Sequence, residues 1–346
     1  MSLDETGKRR GARAGHAAVR IEDVARLAGV SAITISRTLN KPETVSEATR
    51  KLVWAAIEET GYIPNLLAGG LASRRTRTIG VIIPTIVNSI FADKVQGMTD
   101  VLHEAGYQLL LANSGYSPEA ESALVAAFLA QRPSGLVLTG VTHSERTRRL
   151  MANSDVPIVE TWAMTDAPFD MLVGFSNRDA SHAMTRYLAG RGHRRIAFVS
   201  APVLNNDRAA ERLRGYREAL RDHGLEVDPA LIREAFFTLE NGARAFAELA
   251  GAGGVDAVFF ANDVLAAGGL FEAARRGIRV PDDIAIAGFD DIDLAAQVMP
   301  ALTTVRIPRY EIGAEAARLL LARIAGEAEA PARVDLGYGI VVRQSA

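Results

Sequence analysis

The sequence predicts a small all-α N-terminal domain followed by an α/β core with two doubly wound parallel-sheet subdomains. Short amphipathic helical segments occupy the first 64 residues, whereas short apolar runs alternate with helical stretches from residue 79 onward. This strand–helix cycle occurs twice, on either side of about residue 177. The length of 346 residues suits two or three compact units of about 100–200 residues each.

The N-terminal region predicts three helices in succession. Ile21–Ala28 is short and amphipathic. Ser31 can cap a second helix, Ala32–Asn40, because its hydroxyl can accept a hydrogen bond from a free backbone N–H of the first turn. A third helix follows Ser46 and ends at Gly61, a residue type that commonly terminates helices.

The core is predicted from continuous apolar runs, which are typical of parallel strands covered by helices on both faces. These runs span residues 79–84, 107–113, 135–140, 157–162, 172–175, 194–200, 257–262 and 284–291. Ligands of open α/β sheets bind beyond the carboxyl ends of the strands. We therefore expect a binding site in a cleft between the two halves of the core.

Composition narrows the function. Because there is no Cys, disulfides, thiolate metal sites and Cys nucleophiles are excluded. Residues 1–19 are expected to form a disordered leader that lacks the apolar region of a secretory signal, and no apolar run approaches the roughly 20 residues of a membrane span. We therefore expect a cytoplasmic protein without a membrane partner. Residues 1–78 carry 13 Lys and Arg against 8 Asp and Glu, a balance that favours a polyanionic partner but also fits a solvated surface.

Catalytic motifs are missing from the sequence. We find no nucleophile elbow, phosphate-binding loop or complete dinucleotide fingerprint, and residues 251–254 do not lie between a strand and a helix as that fingerprint requires. The six His are scattered without metal-ligand spacing, and His193 is expected to be a structural residue at a strand entry. We expect no catalytic residues, metal or cofactor.

Two N-terminal segments, IEDVARLAGVSAITISRTLN and VSEATRKLVWAAIEETGYIPN, resemble the DNA-binding domain of the lactose/purine repressor (LacI/GalR) family. Core segments resemble the same family in the same order: TIGVIIP, GHRRIAFVSAP, RLRGY, AVFFANDVLAAG, RRGIRVPDDIAIAGFDD and PALTTV. The resemblance covers residues 20–345. Within the family, DMLVGFSN (170–177) and VDLGYGI (334–340) are most similar to repressors of gluconate operons.

The resemblance implies the domain boundaries. A helix-turn-helix DNA-binding domain spans 20–64 and a hinge helix with its linker spans 65–78. A periplasmic-binding-protein-like core spans 79–346 and binds the effector and a second subunit. Its first subdomain covers roughly 79–177 plus the C-terminal segment, and its second covers roughly 178–305.

The resemblance also implies the DNA contacts, because the second helix of this motif lies in the major groove with its N-terminal residues at the base edges. This places Ala32 and Ile33 at the bases, where they should read thymine methyls or exclude other bases. Arg37 follows one turn later, where it can form a bidentate contact to guanine or remain a solvated helix charge. Hydroxyl side chains of the same helix are expected at phosphates or bases: Ser31, Thr34 and Ser36.

In the hinge, Leu71 matches a family leucine that wedges into the minor groove, with Ala72 beside it and Asn65 at the start of the segment. Gly69-Gly70 directly precedes this leucine, and each Gly disfavours a helix by about 1 kcal/mol relative to Ala. We expect the hinge to order only on DNA. A homodimer would bind a palindromic operator.

The resemblance places an effector pocket at Ile90, Phe91, Trp162, Ser176, Arg212, Phe237, Asn262 and Asp263. Asp263 can accept hydrogen bonds from polyol hydroxyls, or can be only a helix N-cap. Arg212 offers a forked cation for hydroxyls or a carboxylate, with Arg208 as a further cation. The aromatic residues suit the C–H face of a carbohydrate, although Phe237 can also be a core residue. Ser176 stands where the family often has an acid, which favours a sugar acid over a neutral sugar.

The predicted function is that of a sequence-specific transcription repressor controlled by a sugar or sugar-acid effector, with a gluconate-like molecule favoured. The alternatives are a sugar-binding protein or a sugar-converting enzyme on the same core. The sequence does not determine whether the effector releases the protein from DNA or helps it to bind. Release is more common among sugar-responsive relatives, so we expect induction.

Overall fold

The computed structural model describes residues 19–63, 76–87, 89–327 and 332–346. The chain divides into two compact units, Met1–Thr76 and Arg77–Ala346. Three of the predicted DNA contacts lie outside the described residues: Asn65, Leu71 and Ala72. The same holds for residues 1–18 of the predicted leader.

The described part of the first unit contains three α-helices, α1 (Ile21–Ala28), α2 (Ala32–Asn40) and α3 (Glu47–Thr60), with a short 3-10 helix at Pro42–Thr44. The hydroxyls of Ser31 and Ser46 cap α2 and α3 by accepting from backbone N–H groups three residues later. The three helices enclose a small apolar core made of Val24, Ala25, Ile35, Val53 and Ala56.

The described residues of the second unit form two six-stranded sheets. The elements of the first sheet in chain order are β1 (Thr78–Ile83), α4 (Ile90–Glu104), β2 (Gln108–Asn113), α5 (Pro118–Ala130), β3 (Gly135–Thr139), α6 (Glu145–Ala152), β4 (Ile158–Thr161), β5 (Met171–Gly174) and, much later, β11 (Arg333–Asp335). Its strands lie in the order β11-β5-β4-β3-β1-β2. All its strand pairs are parallel.

The elements of the second sheet are α7 (Asn177–Gly190), β6 (Ile196–Ser200), α8 (Asp207–Asp222), β7 (Ile232–Glu234), α9 (Leu239–Ala252), β8 (Ala257–Phe260), α10 (Asp263–Arg276), β9 (Ala285–Asp290), α11 (Asp293–Gln297), β10 (Thr303–Arg306) and β12 (Gly339–Val341). Its strands lie in the order β12-β10-β9-β8-β6-β7, and among these described strands β12 alone runs antiparallel to its neighbour. Helix α12 (Arg309–Ala325) follows β10 and packs against α4 of the first sheet.

The predicted fold class is confirmed, because helix-turn-helix helices precede two parallel-sheet α/β subdomains. The C-terminal segment divides between the subdomains more finely than expected. Helix α12 packs against the first sheet and β11 pairs within it, whereas β12 pairs within the second sheet. The apolar runs did not predict β7, β10, β11 or β12, which are only three or four residues long.

Both sheets have a topological switch point, where the chain leaves one strand and the next strand is added on its other side. The switch lies between β1 and β3 in the first sheet and between β6 and β8 in the second. Ligands of open α/β sheets bind at such points. The carboxyl ends of these four strands are therefore where a site is expected. Among the helices that the structure describes, none has the length and apolar character that a membrane crossing requires.

Candidate functional site

Helix α2 presents one solvent-exposed face and one buried face. Ile35 and Thr38 are buried in the first unit, whereas Ser31, Ile33 and Arg37 are exposed. Ile33 is 65% exposed although it is fully apolar. The Ser31 hydroxyl accepts a hydrogen bond from Thr34 N at 3.2 Å. Ala32, Thr34 and Ser36 are half-buried. The exposed face at the start of the helix thus combines a hydroxyl, an apolar group and a cation.

In the second unit, one small cavity lies at the carboxyl ends of β6 and β8. Six of the eight predicted effector residues line it: Ile90, Phe91, Trp162, Arg212, Phe237 and Asn262. Five further residues complete the lining: Tyr116, Ser200, Asn206, Arg208 and Ala209. The free volume is about 20 Å³, roughly the space of one water molecule. The two subdomains thus close tightly around this point.

Arg212 is held at the cavity by several fixed contacts. Its Nε donates to Asn177 Oδ1 at 2.8 Å and its Nη1 donates to Ala261 O at 2.6 Å. The guanidinium also lies 3.8 Å from the centre of the Phe289 ring. Burial lowers the pKa of Arg212 to about 10, while the nearby Asp290 carboxylate opposes that shift. Arg212 is therefore a fixed cation with a carboxylate close by.

The nearby carboxylate belongs to Asp290, at the end of β9. Its Oδ1 lies 3.9 Å from Arg212 Nη2 and has no hydrogen-bond partner, although the residue is fully buried. Its Oδ2 accepts from Asn262 Nδ2 at 2.6 Å. Burial raises the pKa of Asp290 to about 6, against the opposing effect of Arg212. An unsatisfied buried acceptor is costly, and this one lies directly behind two residues of the cavity lining, Arg212 and Asn262.

Two aromatic side chains, Phe91 and Trp162, form part of the wall of this small cavity. The ring centroids of Phe91 and Trp162 lie 5.2 Å apart with the rings tilted by 45°. Trp162 adopts a positive φ of 75°, which is rare for a bulky residue and is found mainly at functional sites. Asn177 Nδ2 donates to Trp162 O at 2.8 Å and helps to hold this backbone. The indole thus has a fixed position beside the cavity.

Two predicted effector residues do not line the cavity. The Asp263 carboxylate is fully buried and accepts hydrogen bonds from Ile292 N at 2.9 Å and Thr304 Oγ1 at 2.6 Å, so it joins α10 to the loop after β9 and to β10. The N-cap of α10 is instead Asn262. Ser176 caps α7, where its hydroxyl accepts from Asp179 N. Both side chains therefore use their oxygen atoms to accept hydrogen bonds from other groups of the protein.

A second, larger cavity of about 240 Å³ adjoins the first and shares Tyr116 and Arg208 with it. It lies at the switch point of the first sheet, and its lining comprises Pro84, Ser114, Tyr116, Ser117, Pro118, Glu121, Thr139, Thr142, His143, Ser144, Asn205, Asp207 and Arg208. Six of these thirteen residues carry a hydroxyl group. Polyhydroxylated ligands are therefore well suited to it.

Asp207 and Arg208 join the two subdomains at this cavity. Asp207 Oδ2 accepts from Val141 N at 2.6 Å and from Thr142 N at 3.1 Å. Arg208 Nη1 donates to Asp207 Oδ1 at 2.7 Å and to Thr139 O at 3.3 Å. These contacts connect the start of α8 to the loop after β3, so a ligand here can influence how the subdomains meet.

His143 lies between two carboxylates at the cavity wall. Its Nδ1 is 2.8 Å from Glu121 Oε1 and its Nε2 is 3.2 Å from Glu160 Oε1. Burial disfavours the charged imidazole, but the hydrogen bond between Nδ1 and Glu121 and the negative charges of Glu121 and Glu160 outweigh it and raise the pKa of His143 to about 9. His143 is thus a charged structural link between α5 and β4 at neutral pH.

Sequence reasoning did not find three of the lining or flanking residues: Tyr116, Asn206 and Asp290. Tyr116 has a positive φ of 62° in the turn after β2, and Asn206 caps α8. Asp290 ends an apolar run in the same way as the residues that were chosen, and this was an available signal. In the described parts of the chain, no three His, Cys, Asp or Glu side chains meet as a metal ion would require.

Comparison with family models gives two matches. Residues 20–65 match the model described as bacterial regulatory proteins, lacI family, and residues 185–346 match the periplasmic binding protein-like domain. The HTH-type transcriptional regulator GntR of Escherichia coli strain K12 is 37% identical over 324 residues, which cover 92% of this chain and 96% of that protein. The regulator of the same name from Pseudomonas aeruginosa is 37% identical over 328 residues, covering 94% and 95% of the two chains.

Solved structures give the same result. A LacI-family transcriptional regulator from Silicibacter pomeroyi superposes with a TM-score of 0.89 at 34% identity, covering 94% of this chain and 99% of that one. The lac repressor dimer bound to operator and the anti-inducer ONPF superposes with a TM-score of 0.81 at 28% identity, covering 95% and 99%. The regulator GntR from Chromobacterium violaceum is 40% identical with a TM-score of 0.72, covering 78% and 98%.

Proposed function

The chain belongs to the lacI family of bacterial regulatory proteins, and from this premise we propose that it is a homodimeric repressor released from its operator by a sugar acid such as gluconate. Members of the family are DNA-binding transcription regulators with a sugar-effector core, and this chain is one of them rather than an enzyme. Four parts of this statement are proposals: the operator, the homodimer, the release from DNA by the effector, and the acidic nature of that effector. We expect the protein to act in the cytoplasm, where bacterial operators lie.

The DNA contacts are proposed on the exposed face of α2. Ile33 and Arg37 are exposed on that face, beyond the capping hydroxyl of Ser31. In helix-turn-helix proteins this part of the second helix lies in the major groove. Arg37 has the fork that pairs with guanine, and Ile33 is suited to thymine methyls. Ala32, Thr34 and Ser36 are proposed as supporting contacts, and hinge residues Asn65, Leu71 and Ala72 stay predictions.

The homodimer is proposed because a palindromic site requires a symmetric protein. The core also exposes large apolar side chains, including Leu110 and Leu111 on edge strand β2, Phe271 on α10 and Met299 before β10. Met299 is 90% exposed. Large exposed apolar groups favour association with another protein surface.

The observation that carries the sugar-acid class is the pair of guanidinium groups, Arg208 and Arg212, that line one cavity while each is less than a tenth exposed. Guanidinium groups bind carboxylates and hydroxyls with paired donors. The free acceptor on Asp290, the side chain of Asn262 and the Trp162 ring suit the rest of a polyol. The resemblance of residues 170–177 and 334–340 to repressors of gluconate operons supports the same class.

A thermal-shift screen on the full chain tests this class. The panel pairs D-gluconate with D-glucitol and D-glucose, and adds a sugar phosphate and a purine. A ligand at 100 times its Kd stabilises the folded state by about 2.7 kcal/mol, so a true effector raises the melting temperature clearly. We expect the largest rise with the acid. A larger rise with a neutral sugar or a purine would contradict the acid class and leave the family assignment intact.

A further inference from the structure

A six-carbon sugar acid is much larger than the cavity beside Arg212. That cavity holds about 20 Å³, roughly one water molecule, whereas the adjoining cavity at the carboxyl end of β3 holds about 240 Å³. Tyr116 and Arg208 line both cavities, so one extended molecule can pass from the first to the second beside them. A ligand whose carboxylate binds at Arg208 and Arg212 therefore extends the rest of its chain into the larger cavity.

The lining of the larger cavity balances positive and negative charge. Among the described residues that line it, the carboxylates are Glu121 and Asp207. The cations are Arg208 and His143, which is protonated at neutral pH because its pKa is about 9. A balanced lining gives an anion no advantage over a neutral polar group. The end of the ligand that binds here is therefore expected to carry hydroxyls rather than a second charge.

Most polar side chains of this lining are already bonded within the protein. Each oxygen of the Asp207 carboxylate accepts two hydrogen bonds, from backbone N–H groups or from the Arg208 side chain. The Thr139 hydroxyl donates to Ile82 O at 3.1 Å and accepts from Lys94 Nζ at 2.8 Å. The hydroxyls of the three lining serines bond to neighbouring backbone or side-chain groups. These groups have little capacity left for a ligand.

Glu121 differs from them, because one of its two oxygens is unused. It lies on α5, and its side chain is 14% exposed. Its Oε1 accepts from His143 Nδ1 at 2.8 Å, whereas its Oε2 accepts no hydrogen bond from any residue that the structure describes. An ionised carboxylate offers about four acceptor sites, so Glu121 keeps acceptors for a ligand hydroxyl.

The Glu121 carboxylate is also held in place from behind. His143 is 1% exposed and lies between Glu121 and Glu160, with its Nε2 3.2 Å from Glu160 Oε1. Glu160 is itself fixed, because its Oε2 accepts from Phe169 N at 2.7 Å. The imidazolium thus fixes Glu121 through one oxygen and leaves the other for the cavity. An acceptor that is already ordered loses little freedom when a ligand binds, and this favours affinity.

We propose that the larger cavity reads the polyol end of the effector, and that Glu121 is a specificity-determining residue that accepts a hydrogen bond from the terminal hydroxyl of the ligand. This inference rests on the proposed sugar-acid effector, whose carboxylate binds at Arg208 and Arg212. Glu121 lines the larger cavity and not the smaller one, so it meets the end of the chain that is furthest from the acid.

The test is titration calorimetry on the full chain with D-gluconate and 6-deoxy-D-gluconate, which differ only in the terminal hydroxyl. Wild type should bind D-gluconate about tenfold more tightly than the deoxy acid, because a hydrogen bond to a charged acceptor is roughly twice as strong as a neutral one. Glu121→Gln keeps the size of the side chain without its charge, and Glu121→Ala removes the acceptor. In both variants the preference should fall below about threefold, without a loss of affinity for the deoxy acid.

Glu104→Gln is the matched control. Glu104 is an exposed glutamate at the end of α4, outside the lining of both cavities. It removes the same charge from the same subdomain, so it should keep the wild-type preference for D-gluconate. The comparison of the two acids on wild type needs no variant, and it therefore tests the terminal hydroxyl even where a Glu121 variant folds poorly.

Four results overturn the inference. Equal losses for the two acids in both Glu121 variants would make Glu121 only a structural partner of His143. A wild-type preference that both variants keep would place the terminal hydroxyl elsewhere in the core. Equal binding of the two acids by wild type would mean that no residue reads this hydroxyl. These three results leave the sugar-acid effector standing, whereas a wild-type protein that binds neither acid would remove the proposed effector and this subsite with it.

Discussion

At the residue scale, two neighbouring carboxylates of the second sheet have different environments. Asp263 accepts hydrogen bonds from Ile292 N and Thr304 Oγ1, whereas Asp290 keeps one oxygen without a partner beside Arg212. Burial, and the charge of Asp290, raise the pKa of Asp263 well above its usual range. Both residues follow apolar runs in the sequence. Which of the two carboxylates keeps an oxygen without a partner depends on how the backbone folds around it, and the sequence alone does not show this.

The two carboxylates should therefore respond differently to replacement by an amide. Asp263→Asn removes an acceptor from a satisfied buried network and is expected to destabilise the fold by about 1–3 kcal/mol. Its effect on the ligand affinity of the folded protein should be small. Asp290→Asn should weaken D-gluconate and D-glucitol alike by more than tenfold, because both present the same hydroxyls. Denaturant unfolding and calorimetry measure the two effects. A larger affinity loss in Asp263→Asn than in Asp290→Asn would reverse this assignment.

At the element scale, helix α4 brings Ile90 and Phe91 to the site and is positioned by its crossing with α12. The crossing is close because glycines lie on both helices. A Cβ added at Gly313 would collide with the backbone of Lys94, and one added at Gly97 would collide with the backbone of Tyr310. The packing of α12 thus fixes the position of α4 and of the residues that α4 brings to the smaller cavity, Ile90 and Phe91.

Gly313→Ala tests this crossing. The added methyl has no room, so we expect a loss of about 1–3 kcal/mol in the free energy of unfolding and weaker binding of D-gluconate. Gly251→Ala is the control, because Gly251 lies in helix α9 and an added Cβ would meet nothing within 4 Å. Alanine there should stabilise by about 0.5–1 kcal/mol. Equal shifts of the two variants in urea unfolding would mean that the crossing is not tight.

Helix α2 is the second element with a proposed role, and its exposed face predicts a specificity effect. Arg37→Ala should lose about 1–3 kcal/mol on a palindrome selected from a random DNA library, while binding to scrambled DNA at the same salt changes little. Arg26→Ala on α1 is the control, since that side chain is 77% exposed and pairs with Asp23. Fluorescence anisotropy measures both. An equal loss on the two DNAs would make Arg37 a phosphate contact.

At the scale of the whole molecule, the sequence predicted the elements better than their connections. Long buried strands are continuous apolar runs, so β1, β3, β6, β8 and β9 were predicted close to their observed bounds. The short strands β7, β11 and β12 are partly exposed, and their patterns are too brief to read. The return of the chain from α12 to β11 and then to the other sheet depends on tertiary packing, which local patterns do not encode.

The candidate site, like the fold, was predicted from the sequence only in part. Family resemblance located six lining residues of the smaller cavity, whereas the lining residues Tyr116 and Asn206 come from a turn and a helix cap. Their roles arise where the two sheets meet. The contacts of Asp207 and Arg208 with the loop after β3 join the subdomains at that place. A ligand can shift the arrangement of the subdomains only by binding one arrangement more tightly than another. A sugar acid bound among these contacts can therefore shift the arrangement of the subdomains.

The most direct measurement of the central claim is operator binding by the full chain with and without D-gluconate. The DNA is the palindrome selected from the random library, followed by anisotropy at fixed, physiological salt. The account predicts tight binding that is lost when D-gluconate is added, and binding that is unchanged by an equal concentration of D-glucitol. Two results would contradict it. D-gluconate could leave operator binding unchanged or strengthen it, or D-glucitol could abolish operator binding as well.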